Sequence, residues 1–323
     1  MTDNEAIAKM KAPKDSRNTW PLGVAPSAKF GGILQICITR MCDMACSHCT
    51  QGSNLVGPYH SMTLDQFETA VKSLVEPTMY PGVVGIFGGN PTLHKQFDEI
   101  CEILRKYIPF ERRGLWSNRL FGHGLTCKKT FNPDVSNLNV HQNKEAYYEM
   151  LRDWPLCEPK GLEEDSRHSP TLVAMQDMED MTDGERWELI SNCDVNQRWS
   201  ALIGVFRGEL RAWFCELAGA QAMLHEAEPD YPDTGHRVLP GWWNHDITHF
   251  DSQIRYHCFA CGHPLRAKGD YANTGTVEQV SKTHANIYRL KRPAGKHIQV
   301  VSRRAELGEQ VSAATQYLST EAK

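Results

Sequence analysis

The sequence predicts an α/β fold followed by a smaller, cysteine-rich C-terminal extension, and three observations carry that prediction. Short apolar runs of strand length alternate with helical apolar stripes through the first half of the chain. Glycine and proline punctuate the changes of period. The 11 cysteines are unevenly placed: four crowd between positions 37 and 49, and four more lie between 193 and 261.

Taken in order, Ile33–Ile38 is a first strand, entered through Gly31-Gly32. A cysteine-bearing loop follows. Thr63 then offers an N-cap to a helix whose Leu64, Phe67, Val71 and Leu74 share one face. Val83–Phe87, after Pro81-Gly82, is a buried strand running into Gly88-Gly89. Phe97, Ile100, Cys101, Leu104 and Tyr107 mark a second helix, closed by Pro109. Arg113–Ser117 and Val135–Val140 are the third and fourth strands, and Asn143–Arg152 the next helix. Thr171–Met175 is a candidate fifth strand, with a helix over Asp183–Ser191. Such alternation argues for a parallel sheet with crossovers, open or closed into a barrel. Beyond Cys193, Ser200–Phe206 and Glu209–Phe214 form a hairpin around Gly208, and Ala218–Ala227 a short helix. Glu228–Trp243 is a Pro-, Gly- and Asp-rich surface loop, and Gln310–Glu321 a terminal helix or frayed end.

The 323 residues are 41% hydrophobic and 23% charged, as in an ordinary globular protein. A net charge of -4 excludes a global positive field that would draw the chain onto nucleic acid. No apolar run has the roughly 18 residues that cross a bilayer, and Met1–Arg17 lacks the apolar core of a signal peptide. A cytoplasmic, membrane-free location is the expectation. In that reducing compartment, clustered cysteines read as metal ligands before disulfides.

Cys42-x-x-x-Cys46-x-x-Cys49 places three thiolates within eight residues. A four-iron cluster takes four cysteines when fully ligated; with three, one iron is left open to bind something else, as in catalytic metal sites. The competing reading is structural zinc, with Cys37 or His48 as fourth ligand.

A CxxxCxxC loop directly after the first strand of a βα-repeating chain resembles the radical S-adenosylmethionine (radical SAM) superfamily. The resemblance implies a partial (β/α)6 barrel over roughly residues 30–192, preceded by an N-terminal extension over 1–29. It implies an open-site [4Fe-4S] cluster on Cys42, Cys46 and Cys49 that binds S-adenosylmethionine. Reductive cleavage would then give a 5′-deoxyadenosyl radical, which abstracts hydrogen from a substrate. A reductant such as flavodoxin or ferredoxin is implied as partner. Gly88-Gly89-Asn90-Pro91 resembles the family's Gly-Gly-Glu-Pro turn at the methionine amino group, with Asn90 in place of Glu. In the family, position 48 is usually aromatic and lies against adenine; here it is His48. Ser117 and Asn118 match a place of ribose or carboxylate contact.

Cys193, Cys215, Cys258 and Cys261 make a second four-thiolate set. The hairpin carrying Gly208 and Cys215 resembles the SPASM or twitch auxiliary-cluster region of many radical SAM enzymes, and implies one further [4Fe-4S] cluster over residues 193–270. The spacing departs from that pattern, with six residues between Gly208 and Cys215 instead of four. Structural zinc suits the same four cysteines, and His257 and His263 flank the pair as substitute ligands. Cys37 and Cys101 read as packing residues; Cys127 and Cys157 fall in loops, where either could relay a radical.

A terminal segment, 271–323, holds Arg289, Lys291, Arg292, Lys296, Arg303 and Arg304 after an aromatic stretch of Trp242, Trp243, Phe250 and Tyr256. Two substrate readings follow: a peptide, which an auxiliary cluster often accompanies, or a nucleobase or base-linked amino acid, which the basic stripe favours. The reaction is an isomerisation, a bond formation or an oxidation. A reading of another class is a zinc-containing binding or scaffold protein without radical chemistry.

Overall fold

Among the described residues, seven strands form one mixed sheet. The computed structural model describes residues 3–10, 32–55, 61–162, 166–195, 200–286 and 296–308. Arg289, Lys291, Arg292, most of the N-terminal extension and Gln310–Glu321 lie outside them.

A short helix α1 (Asp3–Lys9) packs Ile7 into the core, and Arg255 pairs with its Asp3 at 2.7 Å. Strand β1 (Ile33–Thr39) is almost wholly buried because both faces are covered. Helix α2 (Leu64–Val75) starts at Thr63, whose side chain accepts from the Gln66 amide while Gln66 Oε1 accepts from the Thr63 amide. Its Phe67, Ala70, Val71 and Leu74 face the core. Strand β2 (Val83–Gly88) pairs in parallel with β1, Ile36 opposite Ile86. Helix α3 (Phe97–Tyr107) buries Phe97, Ile100, Cys101 and Leu104 at the i, i+3, i+4, i+7 spacing of one face.

Strand β3 (Arg113–Ser117) adds to β2, and β4 (Asn137–Leu138) to β3, both parallel. Between and after them lie α4 (Gly124–Thr130) and α5 (Lys144–Asp153), the latter capped by Asn143. Helix α6 (Asp183–Ser191) opens with a Thr182–Glu185 capping box. The chain then crosses the sheet, and β5 (Ser200–Phe206) pairs in parallel with the free side of β1. Strands β6 (Glu209–Trp213) and β7 (His236–Arg237) continue antiparallel. Helices α7 (Glu216–Leu224) and α8 (Asp251–His257) follow, and β8 (Val277–Val280) pairs with β9 (His297–Val300) in a separate two-stranded sheet. Among the described residues no helix is long and apolar enough to cross a membrane.

Two expectations change. Thr171–Met175 is no strand: it is a turn leading into a 3-10 helix at Met175–Asp177. The Val173 amide donates to Pro170 O and that of Ala174 to Ser281 Oγ, so neither is left for a ladder. A fully buried apolar run reads alike as strand or turn when burial is complete on all sides. Among the described residues the sheet therefore runs β4-β3-β2-β1-β5-β6-β7, with five parallel strands rather than six and with β4 and β7 as open edges. The hairpin of the cysteine-rich region forms as β5 and β6, yet β5 lies in the main sheet beside β1.

This order places a topological switch between β1 and β5. Connections leave β1 towards β2 on one side, and the return from β4 lands on the other. Crevices at the carboxyl ends of strands at such points are where α/β sheets bind ligands.

Candidate functional site

The cysteine loop leaves β1 at this switch point. Cys46 is buried, Cys42 and Cys49 are half-buried, and all three line one end of a cavity of about 360 Å³. Burial, and then the charge of Cys49, pushes the Cys42 thiol up to about 12. Burial and the charges of Cys49 and Cys42 raise Cys46 well above the ordinary thiol range, with Lys296 opposing them. Three crowded thiolates repel one another in a low-dielectric site, and a bound cationic centre removes that cost. The donor set therefore fits a cluster held by three sulfurs.

Gly88 and Gly89 end β2 against this loop. At Gly88, φ is +146°, and a Cβ there would stand 2.0 Å from Thr39 O. At Gly89 it would stand 2.2 Å from Met41 O. The Gly89 amide donates to Thr39 O (3.0 Å) and the Asn90 amide to Met41 O (2.6 Å). The glycines thus let two backbones touch, and the turn fixes the root of the cysteine loop.

Asn90 is fully buried and does not line the cavity. Its Oδ1 accepts from the Thr92 amide (3.1 Å) and lies 2.8 Å from Thr92 Oγ1 and 3.0 Å from Ser117 Oγ. Its Nδ2 donates to Asp43 Oδ1 (3.3 Å) and Arg119 O (3.2 Å). Asn118 also donates to Asp43 Oδ1, at 2.9 Å. Asn90 therefore knits the glycine turn, β3 and the cysteine loop together. Pro91 starts a buried 3-10 turn behind it. Ser117 and Asn118 both line the cavity.

His48 turns away from that cavity. Its backbone, at φ +52°, sends the ring against Gly269 and Glu278, with Nδ1 3.5 Å from Glu278 Oε2. Burial holds its pKa down at about 3. The expected adenine contact does not follow from this placement, because the left-handed backbone points the ring into the C-terminal segment.

That segment clamps the loop from behind. The Ser47 amide donates to Ala272 O (2.7 Å) and the His48 amide to Glu278 Oε2 (2.9 Å). The Lys296 ammonium donates to Ser47 Oγ and to Gly275 O, the latter at 2.8 Å. Lys296, read from sequence as part of a basic face, is buried. Arg303 faces Glu179 at 3.7 Å. Trp242, Trp243 and Phe250 are buried too, so three of the four aromatics beside the basic stripe present no stacking surface.

The second cysteine set is drawn from four places: Cys193 after α6, Cys215 between β6 and α7, Cys258 at the end of α8 and Cys261 in the next turn. All four are buried. Burial raises the Cys215 thiol, and Cys193, Cys261 and Cys258 each raise it further by their charge. His263 Nε2 lies 2.6 Å from Asp194 Oδ1, beside this set. His257 bonds away from it, with Nε2 2.7 Å from Thr234 Oγ1.

Cys37, Cys101, Cys127 and Cys157 are buried in the core, and none lines the cavity. Cys127 belongs to α4 instead of a loop.

Several cavity residues carry no sequence signal. Asn137, Asn139 and His141 alternate along and beyond β4, and His168 reaches the same wall from a loop. His141 Nδ1 is 2.9 Å from Ser166 Oγ, and burial with the neighbouring His168 holds it at about 3. Gln35, Ser200 and Glu216 line the end away from the glycine turn. Period-2 patterning gave a face to these positions but no partner.

No curated protein matches the chain. Among solved structures, the crystal structure of BtrN in complex with AdoMet and 2-DOIA aligns with a TM-score of 0.40 and 13% identity. It covers 71% of this chain and 92% of that one, and so distant a likeness carries no argument. Residues 36–149, which hold the cysteine loop and the glycine turn, match the model of the radical SAM superfamily, whose enzymes hold a [4Fe-4S] cluster and S-adenosylmethionine.

Proposed function

We propose that this chain is a radical SAM enzyme with two iron–sulfur clusters, acting on a small molecule held between them. One observation carries the reading: a single cavity is lined at one end by Cys42, Cys46 and Cys49, and elsewhere by Val195, Glu216, Leu217 and His263. Each of those four lies one or two residues from Cys193, Cys215 or Cys261. When bound, the first cluster and S-adenosylmethionine supply a one-electron cleavage that delivers a hydrogen-abstracting radical.

At the second site a cluster is the reading preferred to zinc. The charges of Cys193, Cys261 and Cys258 all act on Cys215, so four buried thiolates converge there, the full ligand set of a [4Fe-4S] cluster. A redox group at the far end of the cavity is what an oxidation needs and an isomerisation does not, so oxidation is the favoured reaction.

With Lys296 turned inward and the tryptophans buried, a small molecule fits better than a nucleic acid.

The test is anaerobic reconstitution, followed by iron and sulfide per chain and 5′-deoxyadenosine formed with S-adenosylmethionine and dithionite. About eight irons with cleavage supports the proposal. About four irons and one zinc would keep radical chemistry but make the second site structural. No iron and no cleavage would leave the zinc-containing scaffold in its place.

A further inference from the structure

The floor of the cavity has a character that its cysteine end lacks. Gln35 projects there from β1 and is only 2% exposed. Its Nε2 donates to Ser200 Oγ (3.1 Å) and to Glu216 Oε2. That uses both amide hydrogens and fixes the amide's orientation, leaving Oε1 buried without a partner. A buried carbonyl left unpaired is costly, so a donor that reaches it is favoured. Farther round the wall, Asn118 Oδ1 is also buried and unpaired.

The charges point the same way. Among the described residues lining the cavity, Glu216 is the sole carboxylate, and there is no lysine or arginine. Burial and the neighbouring His168 hold His141 at about 3, and burial lowers His168, so both stay neutral at pH 7. A phosphate or carboxylate entering this space meets no lysine or arginine among the described residues of its walls. A group that donates hydrogen bonds meets Gln35 Oε1, Ser200 Oγ and the Glu216 carboxylate together.

We infer that Gln35, Ser200 and Glu216 form a substrate subsite for a protonated amine, so that the substrate is a small amine-bearing molecule without a phosphate. This rests on the reading of the cavity as the substrate site. It assigns a role to Gln35 on β1, Ser200 on β5 and Glu216 at the start of α7, none of which is among the cysteines of the first cluster.

The test uses the reconstituted full-length protein with S-adenosylmethionine present. Ligand-observed NMR or calorimetry compares three matched probes: 4-amino-1-butanol, 1,4-butanediol and the monophosphate of that diol. A charge-assisted hydrogen bond exceeds a neutral one by about 1–1.5 kcal/mol, so the amine should bind about tenfold tighter than the diol. Glu216→Gln should erase that preference, and Gln35→Leu should weaken the amine. Because Glu216 adjoins Cys215, iron content is measured on each variant, and Ser200→Ala serves as the substitution remote from any cysteine. Equal binding of amine and diol, no amine binding at any concentration reached, or tighter binding of the phosphate would overturn the subsite. 5′-Deoxyadenosine formation is measured on the same preparation. Amine preference without cleavage would sink the radical reading and keep the subsite; cleavage without amine preference would do the reverse.

Discussion

Replacing Gly89 by alanine tests how the glycine turn and the cysteine loop are joined. The added Cβ would lie 2.2 Å from Met41 O, 2.6 Å from Met41 C and 2.9 Å from Arg40 O. All three are backbone atoms, so no side chain can swing aside. Restoring even a 3.0 Å contact needs a shift of about 0.8 Å in the segment that leads into Cys42. That shift strains the Gly89–Thr39 and Asn90–Met41 hydrogen bonds. Overpacking of this kind costs about 1–3 kcal/mol, and a weakened buried hydrogen bond adds about 1 kcal/mol. For a chain of this size, thermal unfolding should move down by roughly 3–6 °C. The first cluster should be lost or altered while the second site keeps its iron. The assays are a thermal melt of the unreconstituted protein, and iron analysis with EPR after reconstitution. An unchanged melting temperature together with a normal first-cluster signal would refute the close approach of the two backbones.

Other outcomes can be checked separately. Lys296→Met removes a buried positive charge that opposes the thiolates of the cysteine loop, so the first cluster's potential should fall; a redox titration followed by EPR reads it. Cys258→Ala with Cys261→Ala should lower iron per chain and leave the first cluster's spectrum intact, whereas unchanged iron with lost zinc would reassign that site. Asn90→Ala strands Thr92, Ser117 and Asp43 partners and should cost about 1–3 kcal/mol, read as a lowered denaturation midpoint. His141 and His284 are held at about 3 and about 4 by burial, below the usual histidine value near 6.5. Below that value the unfolded chain takes up protons that the folded one refuses, so stability present above pH 6.5 should fall steadily towards pH 4. A flat pH–stability profile across that window would contradict their burial as neutral rings.

The first half of the fold was legible because its elements repeat local rules. β1, β2 and the helices α2, α3 and α6 follow from apolar period and capping residues such as Thr63 and Thr182, which need only their own neighbours to act. The CxxxCxxC loop was legible for the same reason: three ligands within eight residues are a local chemical statement. Thr171–Met175 failed that logic, since its Ala174 amide donates to Ser281 Oγ and its Leu172 carbonyl accepts from the Ser281 amide, far along the chain. Two cysteine sets and an alternating α/β start follow from residue spacing alone. Long-range strand pairing, by contrast, returns β5 to the free side of β1 and brings Ser200 and Glu216 to Gln35. The same packing turns Lys296 inward, instead of onto a basic face, and sets Glu278 against the cysteine loop. Those placements are set by long-range pairing and burial, which no short window of residues encodes.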